Sequence, residues 1–438
     1  MSLDGNQLRR LYPRLVAKMY AVARSLPDAE DAVQDALERA LRRGADGSAA
    51  PLDSPEAWLL TVATNAHRDR LRRRRHEQPP EGEAGARAGH ADDGDALERL
   101  ARMSPWVQGA MNEPEIARGW KDELLGLLFA CCHPALEPGE SAALALATVI
   151  GLSVSEIAHA FVVAPRSMEQ RLTRARQRLR ERGDHDGARP DQAHDRVDAV
   201  LRTLHLLFNE GYWSTSAEAP IRGELCRLAI GLASSLHQAL PDQAEAAGLL
   251  ALLLLHEARR AARLDGAGGV VPLPAQERAR WDHPLIARAT ALLERTLALG
   301  RPGPLQIEAA ISAVHCRAGQ ADATDWTEIA ALYALLEALR PTPAVRVNRA
   351  YAVARAEGAP AGLALLEPGA AAGLGLEGYP YLHLVRGALL DESGQPDAAR
   401  AALRRAHQHA RNPHERAHIE ARLAALGDAA PPPPRGRQ

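Results

Sequence analysis

The sequence predicts an all-α protein in which two small helical domains, the second a helix-turn-helix, precede a C-terminal α-solenoid. Three observations carry this. Apolar residues recur at three- and four-residue spacing along most of the chain, aromatic residues make up only 4% of it, and glycine and proline fall mostly between the periodic stretches. With 438 residues the chain has room for about three domains.

The first well-marked element is DAEDAVQDALERALRR, Asp28 to Arg43. Its periodicity turns Ala32, Val33, Ala36, Leu37, Ala40 and Leu41 inward and Glu30, Asp31, Gln34, Asp35 and Glu38 outward. An acidic face repels DNA, so it is either ordinary solvated surface or a docking face for a basic protein. Ser54 and Pro55 open the next helix, whose buried stripe is Trp58, Leu59, Val62, Ala63 and Ala66. Arg68, Arg70, Arg72, Arg73, Arg74 and Arg75 crowd its C-terminal end, where they complement the helix dipole and are also placed to neutralise phosphates. From Pro79 the composition changes to Pro, Gly and Ala with scattered acids, the signature of a flexible linker, over 79–118. Helical spacing resumes in KDELLGLLFACCH, Lys121 to His133.

Gly151 to Arg182 spells two short helices joined by a tight turn. Ser153 and Glu156 have the spacing of a capping box, each side chain reaching the other's amide. Ile157, Ala158 and Phe161 form the inward side of the first helix, and Pro165 suits the first position of the second because its missing N–H has no intrahelical partner there. Met168, Leu172, Ala175 and Leu179 make one apolar stripe, leaving Arg166, Gln170, Thr173 and Gln177 opposite. Seven arginines lie between Arg166 and Arg182 against Glu169 and Glu181 alone. Such a helix reads either as a DNA-groove helix or as the solvated arginine-rich face of a bundle.

The part from 195 to 427 resolves into helix pairs broken at Pro220, Pro241, Gly266 to Pro274, Pro284, Gly300 to Pro304, Pro341 to Pro343, Gly358 to Pro360 and Gly394 to Pro396. The best single repeat runs from Tyr381 to Pro413, with Gly387, Gly394, Ala399, Leu403 and Ala406 at tetratricopeptide spacing. Small residues there let paired helices approach, and Leu403 fills the gap between them. The tail over 428–438, ending PPPPRGRQ, is expected to be disordered.

Composition bounds the function. Formal net charge is −2, so basic patches are local features, and of 53 lysines and arginines only Lys18 and Lys121 are lysine. Cys131, Cys132, Cys226 and Cys316 suggest no disulfide framework, which fits a reducing cytoplasm. No secretory leader opens the chain, and the longest apolar run, Ala246 to Leu255, falls short of the ~20 residues of a membrane span. Cys131, Cys132 and His133 lack the spacing of a metal site, HEARR at His256 lacks the second histidine of a zinc protease, and there is no phosphate-binding loop. No nucleophile, base and orienter constellation is evident, so the expectation is a non-enzyme without metal or cofactor.

Three words together, DAEDAVQDAL at Asp28 to Leu37, AWLLTVATNAHRDRLRR at Ala57 to Arg73, and GLSVSEIA with SMEQRLTRARQRLR within Gly151 to Arg180, resemble the extracytoplasmic-function sigma factors of the sigma-70 family. FACCHPAL at Phe129 to Leu136 and LLFNEGYWS at Leu206 to Ser214 resemble a subgroup with a fused helical, tetratricopeptide-like C-terminal domain. The resemblance implies a sigma factor whose partners are core RNA polymerase and promoter DNA. Residues 1–78 correspond to region 2, with Glu30, Asp31, Gln34, Asp35 and Glu38 docking on polymerase and Trp58, Asn65, Asp69, Arg70, Arg72 and Arg73 at the minus-ten element. Residues 119–186 correspond to region 4, where Arg166, Ser167, Glu169, Gln170, Arg171, Thr173 and Arg174 meet the minus-thirty-five element. Residues 195–427 would be a regulatory domain with a protein or peptide partner, the whole acting in the cytoplasm without a membrane. Two departures from the family pattern stand out: the loop Gly44 to Ser54 has no aromatic residue, and the turn of the helix-turn-helix is Val162, Val163 and Ala164 without glycine. The alternative is a stand-alone helix-turn-helix regulator with a solenoid sensor, which would have no use for the words at Asp28 and Ala57.

Overall fold

The computed structural model describes residues 5–45, 54–77, 123–133, 135–161, 163–182, 194–212, 221–265, 271–300, 302–367, 379–410 and 413–427. The linker at 79–118, the tail at 428–438, most of the Gly44 to Ser54 loop, Val162, and Trp213 and Ser214 lie outside them. Among the described residues the fold is all-helical, with no strand, as expected. It divides into two compact units, Met1–Ala246 and Ala247–Gln438.

In the first unit, α1 (Gly5–Ala23), α2 (Leu26–Ala45) and α3 (Pro55–Glu77) pack against one another. Their shared core is Leu15, Val16 and Met19 from α1, Ala29, Ala32, Val33 and Ala36 from α2, and Leu59, Ala63 and Ala66 from α3. Alanines dominate the α2 and α3 sides, which lets these helices approach closely. Arg24 turns the chain between α1 and α2 in the left-handed region, φ 52°. The hydroxyls of Ser25 and Ser54 accept from the amides of Asp28 and Ala57, capping α2 and α3. Leu41, expected inward, is 57% exposed, because α2 runs past the neighbours that cover its middle turns.

The helix over 123–131 (α4) leads to α5 (Pro138–Thr148), α6 (Val154–Ala160) and α7 (Pro165–Arg182). The capping box of α6 forms as the spacing predicts: Glu156 accepts from the Ser153 amide at 2.7 Å and donates its own amide to Ser153 Oγ at 3.2 Å. Met168, Leu172, Ala175 and Leu179 are all buried, and α5 packs on both α6 and α7. Next, α8 (His194–Tyr212) lies on α5 and on α9 (Gly223–Ala239). It is tied to α4 by Arg196, which donates to the Phe129 carbonyl at 3.2 Å, and by Cys132 Sγ against Thr203 Oγ1 at 3.7 Å. Gly211 does not end α8. The helix continues to Tyr212, which stacks on Phe208, and a Cβ on Gly211 would sit 2.8 Å from the Cys226 nitrogen. The glycine serves the close approach of α8 to the start of α9.

In the second unit, α10 (Ala244–Ala258) carries the long apolar run, and its Leu249, Leu253 and Leu255 are fully buried. Then follow α11 (His283–Leu297), α12 (Pro304–Arg317), α13 (Trp326–Leu339), α14 (Pro343–Glu357), α15 (Ala359–Leu365), α16 (Pro380–Glu392), α17 (Pro396–His409) and α18 (Pro413–Ala425). From α11 to α18 each helix packs on the next, a solenoid-like succession. All but α13 start with a proline in the first turn, and α13 is capped instead by Asp325, whose side chain accepts from the Glu328 amide. The expected close approach at Gly387 is present: a Cβ there would meet Leu403 Cγ at 2.8 Å.

Candidate nucleic-acid interface

Helix α7 has two kinds of arginine. On its outer side Arg166, Glu169, Gln170, Thr173 and Arg174 line one open groove, and all five are exposed. Ser167 is exposed beside them. Arg171, expected with this group, instead lies half-buried with its guanidinium 5.7 Å from the centre of the Phe161 ring, bracing α7 on α6.

Arg176, Arg178 and Arg180 instead pair with acids of the same unit. Arg178 pairs at 2.5 Å with Glu140, a buried residue of α5. Arg180 pairs with Asp31 at 2.8 Å. Arg176 grips both oxygens of Glu30, from Nε at 2.7 Å and Nη2 at 3.0 Å. Glu30 also accepts from Thr148 Oγ1 at 2.9 Å and from the Tyr12 hydroxyl at 3.3 Å. Elements α1, α2, α5 and α7 thus meet on one carboxylate.

This corrects the expected outward position of Glu30, which is only 2% exposed. A carboxylate at that depth is tolerable only when charged partners and hydrogen bonds replace water. Burial of Tyr12, reinforced by the Glu30 charge, pushes its phenol far above the ordinary value. Burial of Arg176 works against its charge, but the hydrogen bond and charge of Glu30 outweigh it and leave the guanidinium firmly protonated. Of the other residues expected on the outer face of α2, Gln34 and Glu38 are exposed while Asp31 and Asp35 are half-buried.

Arg70 of α3 supplies the second anchor on this face, donating to Asp35 at 2.7 Å and to the Asp31 carbonyl at 3.0 Å. It is therefore committed inside the domain and not held out for phosphate. Asn65, Asp69, Arg72 and Arg73 are exposed along α3, and Trp58 is half-buried under the Arg43 guanidinium, 5.4 Å from its centroid. The structure thus brings together the α7 groove residues and, separately, the exposed edge of α3. Of the polymerase set it turns Glu30 inward and pairs Asp31 and Asp35.

Tyr12, Thr148 and Arg176 escape sequence reading as members of this cluster, and the only available signal was a surplus of arginine on α7 beyond its outer face. No group of three or more histidine, cysteine or acidic residues that could hold a metal occurs among the described residues. Burial pushes the Cys132 thiol up to about 12, so it is not a thiolate near neutrality. No described helix is long and apolar enough to cross a membrane.

Residues 8–77 match the family described as Sigma-70 region 2, which spans α1 to α3. Residues 196–297 match a family of unknown function, DUF6596. An uncharacterized protein of Rhizobium meliloti (strain 1021) is 39% identical over 422 residues, which cover 94% of this chain and 93% of the relative. No solved structure matches the chain. The chain belongs to one family with the Rhizobium protein, and its α1 to α3 form a Sigma-70 region 2 domain, which supports a sigma-70 family sigma factor.

Proposed function

We propose that this protein is a sigma factor of the extracytoplasmic-function type that binds core RNA polymerase in the cytoplasm and directs it to a narrow set of promoters. The observation that carries this reading is the open groove of Arg166, Glu169, Gln170, Thr173 and Arg174 on a helix-turn-helix in the same compact unit as the region 2 helices. On this reading 119–186 acts as region 4 and reads the minus-thirty-five element. The exposed edge of α3, with Asn65, Asp69, Arg72 and Arg73, meets the minus-ten element. Residues 79–118 tether the two and 195–427 is a tetratricopeptide-like regulatory domain with a protein or peptide partner. The polymerase supplies catalysis, so the chain itself needs no catalytic group.

The acidic face of α2 is the expected docking surface, yet Arg176, Arg180 and Arg70 occupy its acids. Docking on polymerase therefore requires α7 to leave α2. Opening exchanges these internal ion pairs for intermolecular ones, so its net cost is modest for the half-exposed Asp31 pair and larger for buried Glu30.

Run-off transcription with purified core polymerase on genomic DNA tests the proposal. The expected result is a few discrete promoter-dependent transcripts that vanish without this chain. Absence of transcripts, together with operator binding in the absence of polymerase, would identify a stand-alone helix-turn-helix regulator. A chain ending after Gln243 keeps α8 on α5 and is expected to stay soluble while losing most activity in a reporter strain at matched protein level. Unchanged transcription would remove the regulatory role of the remainder.

A further inference from the structure

The second unit holds a half-open cavity of about 450 Å³ whose walls are aromatic. Trp326, at the start of α13, stands edge-on to His315 of α12 (ring centres 5.3 Å apart, 79° between planes) and to Tyr351 of α14 (5.7 Å, 80°). Tyr333 completes this side. Two arginines flank the space. Arg355, one turn beyond Tyr351, lays its guanidinium over that ring at 5.2 Å and gives Nη2 to Glu392, while its buried Nε has no acceptor among the described residues. Arg278 spends Nη1 on the carbonyls of His315 and Ala318, both at 2.7 Å, and stacks on Trp281 at 4.6 Å, but forms no ion pair with an acid among the described residues. Asp322 at the rim is exposed, and its charge acts on Arg278.

Packing alone does not account for this set. Core aromatics fill space, whereas these half-buried rings surround it, and leaving the buried Arg355 Nε without an acceptor is unfavourable. The local field is positive: burial, with the charges of Arg259 and Arg278, holds the His315 imidazole down at about 4, and burial also lowers the pKa of Arg278 itself. A volume of this size accommodates a ligand of one or two rings, and ring edges facing an aromatic wall prefer another aromatic group. A carboxylate supplies the acceptors that the guanidinium donors lack.

We propose that this cavity is a binding site for a small aromatic carboxylate, its ring lying against the aromatic wall of Trp326, Tyr333 and Tyr351 and its carboxylate held by Arg278 and Arg355. The assignment stands apart from the promoter reading, since binding is measured without polymerase or DNA.

The test is calorimetric titration of the full chain with indole-3-acetate and phenylacetate, beside indole-3-acetamide and tryptamine as neutral and cationic counterparts. The acids are expected to bind and to raise the melting temperature with concentration. The amide should bind about tenfold more weakly and the amine more weakly still. Arg278→Gln should lower acid affinity about tenfold or more. Because Arg278 also holds two carbonyls, Asn348→Trp provides a second variant: Asn348 is exposed at the cavity and hydrogen-bonds the Tyr333 side chain, and an indole there fills the space. It should abolish binding while lowering the unliganded melting temperature no more than Asn348→Ala, which removes the Tyr333 hydrogen bond alone. Absence of binding by either acid up to millimolar concentration, equal binding of acid, amide and amine, or full binding by the Asn348→Trp variant would overturn the proposal.

Discussion

Arg176 holds both carboxylate oxygens of Glu30 across 146 positions of sequence, and that pair joins the acidic helix α2 to α7, whose outer groove is proposed to meet promoter DNA. The arginines of α7 are thereby sorted: Arg166 and Arg174 face outward, while Arg176, Arg178 and Arg180 hold the helix onto α2 and α5. The sorting sets what can be varied without unfolding the domain.

Charge reversal at Arg176 and Arg180 places like charges against Glu30 and Asp31 and should force α7 off α2. The double variant Arg176→Glu, Arg180→Glu is expected to raise affinity for core polymerase about tenfold, equivalent to ~1.4 kcal/mol. Asp31→Arg with Asp35→Arg is expected to lower it by at least as much. Fluorescence anisotropy of labelled protein titrated with core enzyme measures both. Movement of the two variants in the same direction would show that the α2–α7 contact and polymerase docking do not compete.

Arg166→Ala and Gln170→Ala should each cost about 1–3 kcal/mol of binding to preferred promoters and little on random DNA, as expected for lost base-edge contacts. Arg178→Ala should act differently. It strands Glu140, buried at 7% exposure, so the expected effect is a lower melting temperature and loss on all sequences alike. Electrophoretic mobility shifts on specific and random duplexes, set beside thermal melts, separate the two patterns.

Two glycines report on the two units. A Cβ at Gly211 would lie 2.8 Å from the Cys226 nitrogen and 2.9 Å from the Arg222 carbonyl, and one at Gly362 would lie 2.5 Å from the Ala350 carbonyl. Backbone cannot yield as a side chain does, so Gly211→Ala and Gly362→Ala should each destabilise by about 1–3 kcal/mol, the former in the first unit and the latter in the second. Proteolysis followed by mass spectrometry identifies which unit is cut first. Gly319→Ala, with open space at its Cβ, is the matched control.

His315 makes stability of the second unit depend on pH. Its imidazole falls from the ordinary 6.5 to about 4 in the folded chain, so protonation favours unfolding. The contribution is fully present above pH 6.5 and is lost as the pH drops towards 4, reaching about 3 kcal/mol at the lower end. His315→Phe should flatten that part of the profile in urea unfolding followed by tryptophan fluorescence. A wild-type slope retained in the variant would place the titration elsewhere.

What could be read from sequence was whatever depends on near neighbours. The stripe Met168, Leu172, Ala175 and Leu179 and the Ser153 and Glu156 cap are fixed by spacing within one or two turns, and both stand as expected. Glu30 could not be placed that way. On a helical wheel it is one more acid on a polar face, and its burial depends on Thr148, which is 118 positions away, and on Arg176. The same holds for Trp326, His315 and Tyr351, each unremarkable in its own helix and informative only when three helices bring the rings together.

The prolines that open seven of the eight helices from α11 to α18 bear on how quickly this unit forms. Each fixes its first-turn dihedral before any neighbour has packed, so helix boundaries are set locally, and the chain then needs only to dock adjacent elements. Contacts between consecutive helices have short sequence separation, and chains dominated by such contacts fold in microseconds to milliseconds. A growing polypeptide can therefore consolidate this half pair by pair as it emerges, exposing little apolar surface at any moment.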